Sequence, residues 1–277
     1  MDLTTPQITI KHLKSSLSEL RELFERSINV KHVAEPLISF DANYSASQVR
    51  KFMEEKDYDD IGVRQNGLVS GYARKSDITN GQLGDYLIAF EPRDLLLETT
   101  PLVNVLERLK DIPRAFVIFL GQVGGIVTRG DLQKAPIRMW LFGLVSLIEM
   151  QLLRLIREYH SAESWKLLIS PKRLTQAEVL LADRRKRNEA IDWADCIQFA
   201  DKRDIVVKTE GLCKLLGFTS KNIAKGLLKE LEDLRNQLAH SQDILTGSWP
   251  DIANLIAKSE HLLHTCENAM VVSRATA

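Results

Sequence analysis

The sequence has few cysteines, and their spacing pairs none of them. Cys196, Cys213 and Cys266 are scattered over the second half of the chain, which excludes a disulfide framework. The first residues lack the basic and then apolar pattern of a secretory signal. The most apolar run extends from Met139 to Ile148 and is too short to span a bilayer. These absences predict a cytoplasmic protein without a membrane segment.

An excess of charge of either sign is also absent. Lysine plus arginine and aspartate plus glutamate each number 37, so any contact with nucleic acid must come from a local patch. The densest basic run, Arg184 to Arg187, is either such a contact or a solvated helix face. With 277 residues, 44% of them apolar, the chain is long enough for two globular domains.

No pattern typical of a metal centre or of a nucleophilic triad is found. His261, His264 and Cys266 lie close together in the sequence, but no second pair of ligands accompanies them. The glycines from Gly121 to Gly125 lack the lysine of a phosphate-binding loop. We therefore predict no metal ion and no cofactor for catalysis.

Two styles of sequence meet near Pro136. Before it, short β-like runs alternate with helical segments, and after it long helical patterns prevail. We predict an N-terminal helical segment at 1–27, an α/β module at 28–136 and a helical domain at 137–277. The predicted helices of the last domain cover 137–159, 175–200, 204–215, 220–240 and 250–269, and a capping-box pattern at Thr175 to Glu178 marks the second of them.

The α/β module contains an approximate internal repeat, with copies at about 28–78 and 92–134. Each copy has the order strand, helix, strand, strand, helix. In the first copy the pair Asn66-Gly67 is a strong hairpin signal. In the second copy the turn is predicted at Gly121 to Gly124. A repeat of this size constrains the fold before any motif is considered.

The second copy ends in a glycine-led segment that runs from Gly125 through Thr128 to Asp131. Its pattern of glycine, two apolar residues, a hydroxyl residue and an aspartate three positions later resembles the nucleotide motif of CBS domains. The resemblance implies a tandem CBS pair that binds AMP, ADP or ATP as a regulatory ligand. It also implies that Asp131 holds the ribose hydroxyls and that Thr128 contacts phosphate. The adenine would lie against apolar backbone near Leu96 and Leu97.

The residue types fit the roles that this resemblance implies. An ionised carboxylate only accepts hydrogen bonds, so it suits a pair of ribose hydroxyl donors. A hydroxyl at a helix start lies beside free backbone amides, where phosphate binds well. The alternative is an ordinary strand-to-helix turn, with Asp131 as a capping residue.

The first copy matches the motif less fully. Its segment from Gly71 to Asp77 keeps the glycine and the aspartate, but Arg74 stands where the second copy has a hydroxyl residue. Arginine can still bind phosphate as a bidentate donor. An ordinary turn is the alternative here as well. The candidate nucleotide-binding residues are Gly125, Thr128, Asp131, Asp77 and Arg74.

The segment from Asn222 to His240 predicts an amphipathic helix. At about 100° per residue, one apolar stripe collects Ile223, Leu227, Leu231, Leu234 and Leu238. Asn236 and His240 are four residues apart and share the opposite face, and Arg235 lies between the two faces. We therefore predict that Asn236 and His240 face solvent, RNA or another subunit rather than the core.

The residues from Arg235 to His240 resemble the signature of the HEPN family, an arginine, commonly an asparagine, and then a histidine on a late helix. The resemblance implies metal-independent RNA cleavage at a composite site between two copies in a homodimer. Some HEPN domains place a functional acid on an early helix, which adds Glu149 to the candidates. A helix-edge charge is the alternative for Glu149.

The residue types also suit this chemistry, in which the RNA 2′-hydroxyl attacks the adjacent phosphate. Histidine is the side chain type that titrates near neutral pH, so His240 can act as base or acid. Arg235 can hold the charge that builds on the phosphate, and Asn236 can donate to it or orient the histidine.

The sequence thus predicts an α/β (α+β) tandem CBS pair followed by an all-α helical bundle of HEPN type. The first hypothesis is a nucleotide-regulated, homodimeric endoribonuclease, with a role as a toxin or defence effector expected from resemblance alone. The alternative is a non-catalytic protein that senses an adenine nucleotide and dimerises or recruits a partner.

Overall fold

The computed structural model of the protein describes residues 19–20, 22–23, 27–240 and 249–275. The chain forms two compact units. Among the described residues, the α/β unit comprises residues 23, 27–140 and 249–254, and the helical unit comprises residues 19–20, 22, 141–240 and 255–275. Most of the predicted N-terminal helical segment, 1–27, lies outside the described residues.

The α/β unit has two four-stranded sheets, one for each copy of the repeat. The elements are β1 Glu35–Pro36, β2 Ser39–Asp41, α1 Ala46–Lys56, β3 Asp60–Gln65, β4 Leu68–Arg74, β5 Ile88–Ala89, β6 Leu95–Leu97, α2 Leu102–Asp111, β7 Arg114–Phe119 and β8 Gln122–Thr128. The first sheet has the order β2-β3-β4-β5 and the second has the order β1-β8-β7-β6. In each sheet a parallel pair precedes an antiparallel hairpin, and a helix connects the parallel strands. Each copy has the predicted order of strand, helix, strand and strand, but a 3₁₀ helix, Leu83–Tyr86 or Arg129–Gln133, stands where a last α-helix was predicted.

The two copies exchange their first strands. Strand β1 lies at the start of the first copy in the chain but pairs antiparallel with β8 of the second copy. Strand β5 precedes the second copy but pairs antiparallel with β4 of the first. Each sheet is therefore completed by a strand from the other half of the unit.

Equivalent hairpin turns connect the last two strands of each copy. Asn66 and Gly67 have φ of 52° and 79°, the left-handed conformation that an Asn-Gly turn predicts. In the second copy, Leu120 and Gly121 have φ of 48° and 83°. The prediction of a turn at Gly121 to Gly124 was wrong, because the two-residue turn ends at Gly121 and β8 already begins at Gln122.

Two strand glycines lie where the exchanged strands approach most closely. Gly71 of β4 pairs with Ala89 of β5, and a Cβ on Gly71 would lie 2.3 Å from the carbonyl oxygen of Ile88. Gly125 occupies the equivalent place on β8, where a Cβ would lie 2.6 Å from Cε2 of Phe119 and 3.4 Å from the carbonyl oxygen of Glu35. The glycine that leads each predicted motif thus has a packing role.

We expect Gly71→Ala to lower the free energy of unfolding by about 2–3 kcal/mol, because the new methyl group meets backbone that cannot turn aside. The matched control is Gly124→Ala, whose Cβ would lie 3.7 Å from Cδ2 of Phe119, an ordinary contact. That control should change stability by less than about 0.5 kcal/mol. Urea denaturation measures both, and equal midpoints would contradict the close approach of β4 and β5.

Aromatic rings join the two sheets. Tyr72 of β4 and Phe116 of β7 are buried with ring centroids 4.7 Å apart, and Phe90 lies 4.8 Å from Phe116. A separate core lies under α1 in the first copy, where Met53 and Ile61 are fully buried. These contacts explain why the apolar residues of β3, β4 and β7 form runs rather than a strict alternation.

In the described part of the chain, six α-helices follow the last strand. They are α3 Ala135–Tyr159, α4 Pro171–Lys186, α5 Phe199–Lys208, α6 Glu210–Leu215, α7 Lys221–Ala239 and α8 Trp249–Ala275. The prediction of a helical C-terminal half is confirmed. The first residues of α3 and of α8 belong to the α/β unit, and the rest of each helix belongs to the helical unit.

Two of the predicted helices were wrong in their extent. The predicted helix 175–200 is divided, because α4 ends at Lys186 and Asn188 takes a left-handed φ of 60°. Thr175 does not cap a helix; it lies inside α4 and donates from Oγ1 to the carbonyl oxygen of Pro171, at 3.1 Å. The predicted helix 204–215 is likewise divided at Thr209 into α5 and α6.

Helix α3 contains the most apolar stretch of the sequence. It is long and apolar enough to cross a membrane by length and composition, which the run from Met139 to Ile148 alone did not predict. However, 56% of its most apolar window is buried inside the protein, as in the core helix of a soluble protein.

Candidate functional site

The larger of two neighbouring clefts in the α/β unit has a volume of about 660 Å³. Its walls come from segments at the ends of strands in both copies of the repeat. The lining residues are Glu35, Pro36, Leu37, Ile38, Asp57, Tyr58, Asp59, Asp60, Pro113, Arg114, Ile126, Thr128, Arg129, Gly130 and Asp131. The cleft therefore combines apolar side chains, carboxylates and two arginines.

Thr128 and Asp131 form a tight turn at one end of this cleft. Oδ2 of Asp131 accepts from the backbone N–H of Thr128 at 2.7 Å and from the Thr128 hydroxyl at 3.0 Å. Oδ1 of Asp131 lies 2.8 Å from Nζ of Lys134. Asp131 therefore caps the 3₁₀ turn that follows β8, and the capping alternative from the sequence is a real part of its role.

The hydrogen-bonding capacity of Asp131 is not exhausted by this turn. An ionised carboxylate offers about four acceptor positions, and Thr128 and Lys134 occupy three. One position remains for a hydroxyl donor in the cleft. The Thr128 hydroxyl can turn toward a ligand without freeing Asp131, because the Thr128 N–H holds the same carboxylate oxygen.

The apolar walls of the cleft differ from those that the sequence suggested. Leu37, Ile38 and Ile126 supply them. Within the described part of the chain, Leu96 and Leu97 are not among the lining residues; Leu96 is buried and Leu97 is exposed. Much of the apolar wall therefore comes from the segment between β1 and β2, which strand exchange brings to the second copy, and not from the residues near Leu96 and Leu97 that the sequence suggested for an adenine.

A smaller cleft of about 440 Å³ adjoins the first copy. Its lining residues are Arg50, Glu54, Asp59, Asp60, Arg74, Lys75, Ser76 and Arg114. Arg74 donates from Nη2 to the hydroxyl of Tyr72 at 3.2 Å. Asp77 is exposed, accepts from the Ser76 hydroxyl at 2.7 Å, and is not among the described residues that line this cleft.

Asp60 and Arg114 line both clefts, and the sequence analysis missed them. They are the first residues of β3 and β7, and in each hairpin this residue faces the fourth residue of the motif segment, Arg74 or Thr128. They are therefore equivalent positions of the repeat. Nε of Arg114 lies 3.0 Å from Oδ2 of Asp60, which joins the two copies by an ion pair. Aligning the two copies strand by strand would have pointed to this pair.

The Asp60 carboxyl group is buried and incompletely hydrogen-bonded. Its side chain is 7% exposed, and burial raises its pKa to about 6 although Arg114 and Arg74 favour the ionised form. Oδ1 of Asp60 is buried without a hydrogen-bond partner among the described residues. A buried carboxylate oxygen in this condition is costly and is more common at functional sites than elsewhere.

The Arg-Asn-His signature lies at the C-terminal end of α7. Nη1 of Arg235 donates to Oδ1 of Asn236 at 3.2 Å, and both side chains are half-buried. His240 follows the last residue of the helix and is exposed, and its backbone N–H donates to the carbonyl oxygen of Asn236. Residues 241–248, directly after it, lie outside the described residues.

The buried stripe of α7 was predicted only in part. Leu231, Leu234 and Leu238 are buried as expected. Nearer the N-terminus, however, Ala224 and Leu228 are buried, and Ile223 is 55% exposed and Leu227 half-buried. Ala224, Leu228 and Leu231 have the spacing of four and three that places residues on one helix face, so the stripe is displaced by one residue in the first half of α7.

No family model and no curated protein matches this chain. Solved structures do match its N-terminal part. CBS-domain proteins are among them. CBSX2 in complex with AMP is 17% identical over 40% of this chain and 97% of its own, with a TM-score of 0.36.

Two further neighbours have similar values. The CBS domain of a bacterial CNNM/CorC family Mg²⁺ transporter, in complex with ATP, is 15% identical over 42% of this chain and 92% of its own, with a TM-score of 0.35. An uncharacterized conserved protein from Pyrococcus horikoshii is 21% identical over 39% of this chain and 90% of its own, with a TM-score of 0.35. Values as low as these transfer no ligand and no activity to this chain.

Glu149 forms an internal ion pair in the helical unit. Its Oε1 lies 2.6 Å from Nζ of Lys202, and the Lys202 side chain is 7% exposed. This contact gives Glu149 a structural function whether or not it also has a catalytic one. The helix-edge alternative from the sequence understated its burial, since its side chain is 21% exposed.

We expect Glu149→Ala to lower the free energy of unfolding by about 3 kcal/mol, because it leaves the buried ammonium group of Lys202 without its partner. The double variant Glu149→Ala, Lys202→Met should recover most of the loss. The matched control is Glu210→Ala, which removes an exposed partner of Lys214 and should leave the unfolding midpoint close to that of the parent. Thermal unfolding measures all three, and an unchanged midpoint for Glu149→Ala would contradict a structural role.

The part of the chain that the structure describes holds no group of three metal-ligating side chains. All three cysteines are buried, and burial raises the pKa of the Cys266 thiol to about 12. His261 and His264 are exposed, whereas Cys266 is fully buried, so the three side chains do not converge on one face of α8.

Proposed function

We propose that the α/β unit is a nucleotide-sensing regulatory module that binds an adenine nucleotide in the larger cleft. The observation that carries the proposal is the convergence of Asp131, Thr128 and Arg114 around one apolar-walled cleft. Asp131 has an acceptor position left for a ribose hydroxyl. Thr128 begins a 3₁₀ turn and can direct its hydroxyl to phosphate, and Arg114 can neutralise the phosphate charge.

The dimensions and the walls of the cleft suit this ligand. A volume of about 660 Å³ lies in the ordinary range for small-molecule sites. Leu37, Ile38 and Ile126 offer an apolar surface for a purine ring, and Tyr58 adds an aromatic side chain. Arg129 is less available, because its guanidinium donates to the carbonyl oxygens of Leu109 and Lys110.

Calorimetric titration of the full chain with AMP, ADP, ATP and adenosine tests the proposal. We expect a saturable heat for at least one adenine nucleotide. GMP serves as the control for base selectivity. Absence of binding for all four adenine ligands would overturn the assignment.

We propose further that the helical unit cleaves RNA without a metal ion, at a composite site formed in a homodimer. The observation that favours this function is that His240, Asn236 and Arg235 lie outside the buried stripe of α7, with His240 exposed. The 2′-hydroxyl of RNA would attack the adjacent phosphate while a histidine moves the proton. Arg235 would stabilise the charged transition state.

For nucleotide binding to regulate this activity, the ligand must bind the active and inactive arrangements with different affinity. RNA incubation with EDTA, with and without each adenine nucleotide, tests both parts of the proposal. Cleavage that survives chelation and leaves 2′,3′-cyclic phosphate ends supports the enzyme. Absence of cleavage under every nucleotide condition would favour a non-catalytic protein that senses nucleotide and binds a partner.

A further inference from the structure

The ion pair between Asp60 and Arg114 is positioned where the two clefts meet. Both side chains line both clefts, and each begins the equivalent strand of its copy. The repeat therefore has an acid in one copy where it has a base in the other. Any anion that enters either cleft and binds Arg114 competes with Asp60 for the same guanidinium.

Asp60 has few groups near it that stabilise its negative charge. Among the described residues, Arg114 is its ion-pair partner, at 3.0 Å. Arg74 from β4 also favours its charge, whereas Asp59 and Asp77 oppose it. The other charged residues of the smaller cleft are Arg50 and Glu54 from α1 and Lys75 after β4. Removing Arg114 from Asp60 would leave a buried carboxylate whose second oxygen already lacks a partner.

We propose that Asp60 determines which charge state of ligand the larger cleft accepts. A ligand anion bound to Arg114 requires Asp60 to take up a proton, whereas an uncharged nucleoside leaves the ion pair intact. The bond that forms is the O–H bond of the neutral carboxylic acid, and the proton comes from solvent. This inference rests on the proposed nucleotide site and adds a residue that selects between nucleotide and nucleoside.

The direction of the pH effect follows from the free protein. Burial raises the pKa of Asp60 to about 6 before any ligand binds. A bound anion removes the favourable effect of Arg114 and adds a negative charge, so the pKa of Asp60 rises further in the complex. The complex then holds more protons than the free protein at neutral pH. Affinity for the anion therefore increases as pH falls toward about 6, by at most tenfold per pH unit for one proton.

Adenosine 5′-sulfate and adenosine are the probes, because the sulfate ester keeps a fixed charge whereas the phosphate of AMP itself titrates near pH 6. We expect the full chain to bind the sulfate ester about tenfold more tightly near pH 6 than near pH 8. Adenosine should bind equally at both. Asp60→Asn should bind the sulfate ester near pH 8 as tightly as the parent does near pH 6.

Asp59→Asn is the matched control. Asp59 is the adjacent carboxylate and lines both clefts, but its side chain is 87% exposed and pairs with Lys75. That variant should keep the pH dependence of the parent. If Asp60→Asn does not fold, titrations of the parent in two buffers of different ionisation enthalpy still decide the matter. They should reveal uptake of close to one proton per sulfate ester and none per adenosine.

The outcomes separate this inference from the proposed function. If both probes bind without pH dependence and without proton uptake, the role of Asp60 is wrong and the nucleotide site stands. A pH dependence that persists in Asp60→Asn also overturns the inference, since another group must then titrate. If neither probe binds to the parent, both proposals fail.

Discussion

Replacing His240 with alanine should reduce RNA cleavage by about a thousandfold, which is the usual effect of losing a general acid or base. The expectation applies to the full chain with EDTA present, in whichever nucleotide condition the parent is most active. The physical reason is that His240 is the histidine at the end of α7, and histidine is the side chain type suited to proton transfer near neutral pH. Initial rates on an end-labelled RNA, with analysis of the product ends, provide the measurement.

His261→Ala is the control for this experiment. His261 is an exposed histidine on α8, so the substitution removes the same side chain from another surface. It should leave the rate within about twofold of the parent. Arg235→Ala should also lose activity, because the developing phosphate charge loses its partner. Cleavage by His240→Ala at the parental rate would refute the catalytic assignment of α7.

Asp131→Ala should weaken the binding of AMP by about a hundredfold. One hydrogen bond from a ribose hydroxyl to a charged acceptor accounts for a loss of this size, since such a bond contributes about 1.5–3 kcal/mol. Calorimetric titration measures the affinity directly. The equivalent variant of the first copy, Asp77→Ala, is the control, because Asp77 is exposed and lies away from the larger cleft. It should change the affinity less than about twofold.

The capping role of Asp131 must be separated from its role in binding. Asp131→Ala removes the acceptor for the Thr128 N–H and for Lys134, which should cost about 1–2 kcal/mol of stability without ligand. Asp131→Asn keeps an oxygen for the Thr128 N–H and should be closer to the parent in stability while still binding AMP weakly. If Asp131→Ala binds AMP as tightly as the parent, the ribose contact does not exist.

Local signals in the sequence were sufficient for much of the fold. The Asn66-Gly67 turn, the two hairpins and the long helices α3 and α7 follow from residue spacing and from conformations that few residues adopt. The motif segment that ends at Asp131 lies at the larger cleft. A strand-to-helix turn of this kind is set by residues adjacent in sequence, so it can be read without the rest of the fold.

Features that depend on distant residues were not predictable in this way. Strands β1 and β5 have two residues each, too few for any periodic pattern. Gly125, which pairs with β1, was interpreted as a nucleotide-binding residue. The pair of Asp60 with Arg114 needs both copies to be placed. The partnership of Glu149 with Lys202 likewise depends on tertiary packing. Misplaced helix ends at Lys186 and Thr209 reflect single-residue conformations that propensity alone does not fix.

Strand exchange has a consequence for how the α/β unit is made. The backbone hydrogen bonds of the first strand, β1, can form only after β8, the last strand of the chain to be synthesised among the described strands, has been made. A nascent chain that has left the ribosome only as far as the first copy therefore has an unpaired β1, and the edge of β4 at Gly71 and Tyr72 lacks its partner strand β5. Folding of this unit on the ribosome should be late and all-or-none, and neither copy should be stable when expressed without the other.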